Sequence, residues 1–239
     1  MLTIVHSSKT PSKNNMERAS VALDLLLKRK DLGFLQIHLR NSLWQEAAQI
    51  SSEIVCQYDE MVLVGIGGSS LGPQMLCDLF QTHQTKKLHI LDNADPLLFQ
   101  QTVGLIKDLK KTAWLIVSKS GSTLETLALT EFVAKKYREA QIPFAANTYV
   151  ISERTENPLT RWAKKNQRPV LEIPLDVGGR FSIFTSVGLV PLAFLGIDLS
   201  EVKKGIELGI QNKEVGIQLI AHYLESSIVT GKQIGRAHV

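Results

Sequence analysis

Cysteine is scarce. Two residues, Cys56 and Cys77, cannot build a disulfide framework or a four-thiolate zinc site, and they do not form a CxxC pair. Both lie in apolar periodic stretches, which reads as buried free thiols in a reducing compartment. Histidine is also sparse: none of the six stands in an HxxxH pair, so no local metal signature exists. No apolar run reaches about 18 residues, the length that would mark a membrane span. The N-terminal stretch lacks the apolar core of a secretory signal. Excess charge is also missing. There are 27 basic and 23 acidic residues, a net charge of +4, and the basic ones are scattered in short clusters such as Lys28-Arg29-Lys30. Those clusters read as solvated helix faces, not a nucleic-acid footprint. Together these absences point to a soluble, cytoplasmic chain with no nucleic-acid or membrane partner.

What is present is ordinary globular material: 239 residues, 44% apolar and 21% charged, enough to bury a sizeable core without metals or disulfides. Asn15 to Lys30 and Ser42 to Tyr58 carry apolar residues at helical spacing. The pattern then changes. Short apolar runs at 61–65, 88–92, 113–118, 148–152 and 170–173 lack alternation, as parallel strands covered on both faces do. Helical stretches separate them: Pro73 to Thr82, Pro96 to Leu109, Thr123 to Glu139 and Pro158 to Lys165. This alternation predicts an α/β fold, a doubly wound five-stranded parallel sheet with flanking N- and C-terminal helices, whose ligands sit at the carboxyl ends of strands. The expected divisions are 1–58, an N-terminal arm and helices; 59–200, the sheet domain; and 201–239, C-terminal helices. On those last helices Ile206, Ile210, Ile217, Ile220 and Leu224 are spaced for a buried face, and an uncovered apolar patch is expected there.

Two strand ends hold the chemistry. The first strand runs into Gly65-Ile66-Gly67-Gly68-Ser69-Ser70-Leu71-Gly72-Pro73, where glycines allow close approach of a ligand and the next helix offers free N–H groups. A dinucleotide fingerprint would need glycine at Ser70, although Asp92 could mimic its ribose-binding acid. No Walker A sequence occurs. The third strand runs into Ser118-Lys119-Ser120-Gly121-Ser122-Thr123-Leu124-Glu125-Thr126. Five hydroxyls in nine residues exceed what one helix cap needs. Hydroxyls and N–H groups at the positive end of a helix make a phosphate cradle. A plain turn could explain either loop alone, but the pair can converge on one ligand.

These segments, with Val177-Gly178-Gly179-Arg180-Phe181-Ser182 and Val187-Gly188-Leu189, resemble the N-terminal portion of the glucose-6-phosphate isomerase family, in the sugar isomerase (SIS) superfamily. The resemblance covers roughly residues 15 to 234. It implies an SIS-type sheet and interconversion of glucose 6-phosphate and fructose 6-phosphate through an enediol, in glycolysis and gluconeogenesis. It implies that Ser69, Ser118, Lys119 (by its backbone), Ser120 and Thr123 bind the substrate phosphate, and that Thr126 lines the site. Gly179 and Arg180 fall on the catalytic pair whose arginine stabilises charge growing on the enediol. No metal or organic cofactor is implied, and the full-length form is expected to be a homodimer. The family's glutamate base lies in a Glu-Ser-x-Gly-Lys block that this sequence does not contain. Glu225-Ser226 matches two of its letters by chance. The ending after Ile234 reads as an incomplete frame, so the chain is expected to be an inactive portion. A stand-alone SIS module that binds a phosphosugar is the alternative, and a nicotinamide oxidoreductase is disfavoured by the hydroxyl loop and the Arg180 block.

Overall fold

Five strands form one sheet: β1 (Glu60–Val64), β2 (Lys87–Leu91), β3 (Thr112–Val117), β4 (Thr148–Ser152) and β5 (Val170–Glu172). The structure is a computed structural model and describes residues 10–80 and 86–230, with the backbone alone for 226–230. The strands lie in the order β2-β1-β3-β4-β5, and every neighbouring pair is parallel. β1, β3 and β4 are buried at every residue, which is why their sequences run apolar without alternation. The edge strands β2 and β5 are only partly covered.

Nine helices are described: α1 (Lys13–Leu27), α2 (Asn41–Gln57), α3 (Leu71–Leu79), α4 (Pro96–Gly104), α5 (Leu124–Glu139), α6 (Pro158–Lys165), α7 (Ser186–Phe194), α8 (Leu199–Gln211) and α9 (Lys213–Thr230). Strand and helix positions follow the sequence pattern closely. α4 stops at Gly104 instead of Leu109, because Asp108 caps a separate 3-10 turn by accepting from the Lys110 N–H at 2.8 Å. α3 ends at Leu79, and the expected end at Thr82 lies outside the described residues.

The chain divides into two compact units. One is Leu32–Glu201, which holds the sheet; the other joins the described terminal residues, 10–31 and 202–230. In the sheet unit, α4, α5 and α6 bury Phe99, Leu129, Val133, Tyr137, Leu159 and Ala163 against one sheet face. On the other face α7 is buried nearly all round, packed against α2 and α3. An all-apolar helix is stable only in that setting. In the terminal unit α1 packs along α9, and the Glu225 carboxylate accepts hydrogen bonds from the Ser12 N–H, the Ser12 hydroxyl and the Asn15 amide. Ile206, Ile210, Ile217, Ile220 and Leu224 are all partly buried there, and the exposed apolar side chains are instead Leu208, Leu219 and Tyr223 with Val21, Leu25 and Leu26. The five residues thus do not form the exposed patch expected of them, and α1 covers part of α9.

The two cysteines differ. Cys77 is buried, and burial pushes its thiol up to about 12. Cys56, expected to be buried, is exposed on α2, where it borders a groove of about 630 Å³ with Val55, Ile197 and Leu199. Two residues past the buried Ile54 is about 200° around the helix, which turns Cys56 outward.

One buried polar relay crosses the core. Trp114 Nε1 donates to the Tyr137 hydroxyl at 2.6 Å, and that hydroxyl donates to the Leu109 carbonyl at 2.6 Å. Burial holds the Tyr137 hydroxyl neutral, with its pKa up to about 12. Tyr137→Phe is expected to cost about 1–3 kcal/mol, because it strands the buried Trp114 N–H. Urea unfolding measures this, and an unchanged midpoint would show the relay to be idle.

Candidate functional site

The strand order puts the chain's reversal of direction between β1 and β3, the crevice where open α/β sheets bind ligands. Parallel pairing sets Val64 beside Ile116, so the two strands end together. The segment after β1 and the segment after β3 therefore leave the sheet side by side. A Cβ on Gly65 would sit 3.0 Å from the Val117 carbonyl and 2.9 Å from the Ser69 Cβ, so nothing larger fits at this junction.

After β1, Gly67 takes a φ of +60° and opens a 3-10 turn over Gly67–Ser69, leaving Ser69 half-buried. The next glycine is needed for a different reason. A Cβ on Gly68 would strike the Gly179 carbonyl and lie 2.9 Å from the Arg180 nitrogen. Two backbones thus meet directly. Ser182 holds the far side by donating to the Gly179 carbonyl at 2.8 Å. Glycines at a strand end are expected to admit a ligand. In the structure Gly68 serves contact between two parts of the chain, whereas Gly179 has open space around its Cβ position.

After β3, the hydroxyl loop folds on itself at the start of α5. The buried Ser118 shares a 2.8 Å hydrogen bond with the Thr123 hydroxyl. Ser122 reaches the Ser120 hydroxyl through its N–H at 3.3 Å and its own hydroxyl at 3.1 Å. Gly121 has a φ of +62°, and the Asn157 carboxamide occupies the place of its missing side chain. Asn157 also caps α6 by accepting from the Thr160 N–H at 3.0 Å. Thr123 stands at the N-cap of α5 but makes no side-chain bond to the helix. Among the described residues, the Lys119 and Ser120 N–H groups have no protein acceptor. Thr126, in the first turn of α5, is 1% exposed and its hydroxyl has no partner among the described residues. Open N–H groups and hydroxyls at the positive end of a 16-residue helix suit a dianion.

The structure thus brings the Ser69, Ser118–Thr126 and Gly179–Arg180 segments to one edge of one sheet. It turns the Lys119 ammonium toward Glu153 at 3.2 Å and the Leu175 carbonyl at 3.3 Å. Arg180 is exposed and makes no ion pair among the described residues. Asp92 and Glu125 are exposed too. No cluster of three or more potential metal ligands occurs among the described residues, and none of their helices is long and apolar enough to cross a membrane.

Sequence reasoning missed the support beneath Arg180. A 3-10 segment, Gly33–Leu39, brings Phe34 onto Phe181 with ring centroids 4.5 Å apart and planes 14° from parallel. The Gly33 N–H donates to the Asp176 carbonyl at 2.9 Å, and the Arg40 guanidinium grips the Asp176 carboxylate with two bonds, one of 3.0 Å. Those bonds hold the Asp176 carboxyl below the usual range, against the opposing effect of burial. A depressed folded-state pKa stabilises above the ordinary carboxylate value of about 3.9, and the gain is lost as pH falls through the folded value. These partners are 136 residues apart and carry no local signal.

The phosphoglucose isomerase family matches residues 44–208, more than half of the chain. A glucose-6-phosphate isomerase of Methanocaldococcus jannaschii is 37% identical over 62% of this chain and 36% of its own length. One from Thermus thermophilus is 40% identical over 62% of this chain and 35% of its own. The chain thus spans little more than a third of the length of these relatives. Among solved structures, a hypothetical protein from Thermus thermophilus superposes with a TM-score of 0.69 and 33% identity, over 80% of this chain and 46% of that one. A glucose-6-phosphate isomerase from Chlamydia trachomatis gives 0.61 and 25%, over 80% and 36%.

The glycines at the junction differ in what they allow. Gly68→Ala is expected to destabilise by about 1–3 kcal/mol, the usual cost of forcing atoms into packed space. Gly179→Ala, with open space at its Cβ, is expected to leave the urea midpoint nearly unchanged. Equal midpoints for the two variants would mean the backbones do not meet as described.

Proposed function

Because this chain belongs to the phosphoglucose isomerase family, we propose that it is an aldose–ketose isomerase polypeptide whose residues 59–200 form a phosphosugar-binding domain for glucose 6-phosphate and fructose 6-phosphate. The observation that carries the reading is the meeting of Gly68 with Gly179 and Arg180 beside the hydroxyl loop. It tethers a residue with a permanent positive charge next to a nest of anion donors.

In this reading the 6-phosphate sits at the start of α5. The Ser118, Ser120 and Thr123 hydroxyls and the Lys119 and Ser120 N–H groups take its oxygens, Ser69 adds a contact from the β1 loop, and Thr126 lines the floor. The sugar carbonyl then lies toward Gly179 and Arg180. Isomerisation removes a proton beside that carbonyl, and negative charge grows on oxygen. A guanidinium beside that oxygen favours that state over the ground state. It does not serve as the base, because it stays protonated. The 239 residues contain no Glu-Ser-x-Gly-Lys block, the family's source of the base. Side chains alone carry the proton in this chemistry, without metal or organic cofactor. The same reading places the reaction in glycolysis and gluconeogenesis, in the cytoplasm, with the longer form of the enzyme a homodimer.

Binding and turnover separate the parts of this proposal. In calorimetry with glucose 6-phosphate, Ser120→Ala and Thr123→Val are each expected to weaken affinity by roughly tenfold or more, since each bond to a charged acceptor contributes about 1.5–3 kcal/mol. Unchanged affinity in both variants overturns the cradle. In a coupled assay the chain is expected to convert fructose 6-phosphate far below an ordinary rate on the order of 10 s⁻¹, by roughly the 10²–10⁴-fold that acid–base catalysis contributes. Ordinary turnover would place the base within these residues and make Glu125 and Glu153 the first to mutate.

A further inference from the structure

Lys119 sits in the middle of the hydroxyl loop, yet its charge is engaged elsewhere. Its ammonium lies 3.2 Å from a Glu153 carboxylate oxygen and donates to the Leu175 carbonyl at 3.3 Å. The same two residues are joined again through the backbone. The Glu153 N–H donates to the Lys119 carbonyl at 3.0 Å, and the Ser152 hydroxyl reaches that carbonyl at 3.2 Å. The Lys119 side chain is 27% exposed and that of Glu153 18%, so the pair is partly shielded from water. Leu175 precedes Asp176, the anchor for Arg40 and Gly33, and stands just ahead of Gly178, Gly179 and Arg180. One ammonium therefore joins the end of β3, the end of β4 and the segment that leads to Arg180.

We infer that Lys119 and Glu153 are positioning residues: their ion pair fixes the backbone at Lys119 and Ser120, whose open N–H groups face no protein acceptor, and ties the anion loop to the arginine segment. This rests on the reading of that loop as the phosphate site and specifies how the loop is held. Lys119 then acts on the anion through its backbone. The rival role is a lysine that attracts phosphate directly, and the two roles predict opposite signs. If Lys119 were a direct phosphate charge, Glu153 would compete for it and repel the anion, so removing the carboxylate charge would tighten binding. If Glu153 holds the loop in place, removing its charge loosens the peptide and weakens binding.

The test is calorimetric titration of the full chain with glucose 6-phosphate, with thermal melting of every variant. Glu153→Gln and Lys119→Met are each expected to weaken binding by about two- to fivefold, the modest range of a partly exposed ion pair. The double variant is expected to be no weaker than Lys119→Met alone, since both substitutions remove one interaction. Lys119→Arg is expected to restore near-normal affinity, because a guanidinium can also bond both a carboxylate and a carbonyl. Should Lys119→Met fail to melt cooperatively, Glu153→Gln against Lys119→Arg carries the same comparison. Tighter or unchanged binding in Glu153→Gln overturns the inference while leaving the site intact, and so do additive losses in the double variant. No binding by the unmodified chain overturns the phosphate site itself, and the inference with it.

Discussion

Gly68 lies against the Gly179 carbonyl at a separation that leaves no room for even one methyl group. The segments at the carboxyl ends of β1 and β3 are joined to the Arg180 segment by that contact. It brings together segments more than a hundred residues apart and fixes the height of Arg180 above the crevice between β1 and β3. The neighbours of this contact are set to match. A Cβ on Gly72 would touch the Ile183 side chain, and one on Gly188 would strike the Ile183 carbonyl. α7, buried on nearly all sides, then continues directly from this seam into the core between α2 and α3. Site and core are thus one packing problem, and the glycines between Val177 and Leu189 belong to both.

The charges around the site are arranged by pairing more than by accumulation. Asp176 answers Arg40, and Glu153 answers Lys119. What remains for an anion is the helix terminus, the hydroxyls and Arg180. The helix terminus and its backbone N–H groups are preorganised dipoles that need no reorientation when charge develops. A lysine aimed into the same space would add attraction for every anion alike, with less geometric discrimination.

The sheet was legible because fully covered parallel strands leave an unmistakable trace: Met61 to Val64 and Ala113 to Val117 have no polar alternation to confuse with a helix face. The loops were legible because glycine and hydroxyl clusters have few other uses at a strand end. Other features depended on partners far away in sequence. Nothing near Lys119 names Glu153, nothing near Phe34 names Phe181, and Arg40 is one of many basic residues in the chain. The purpose of Gly68 was misread for the same reason: a glycine signals that something comes close, but not what. Cys56 is a different case. Its position relative to Ile54 on the α2 helix turns it outward even though its neighbours in sequence are apolar.

Asn157 carries a double duty with a bearing on how this chain tolerates change. Its side-chain oxygen starts α6, and the same carboxamide fills the space that Gly121 leaves empty. The connection from Ser152 to Asn157 therefore has one workable length. A residue inserted or removed there would shift the carboxamide and unseat both the helix start and the left-handed turn of the hydroxyl loop. Substitution at 121 and 157 is constrained jointly: a side chain at 121 requires a smaller residue at 157, and few smaller residues besides serine keep the cap. The loop's conformation is thus stored in an element beyond it in the chain, and grafting Ser118–Thr123 onto another scaffold would carry the hydroxyls without the shape.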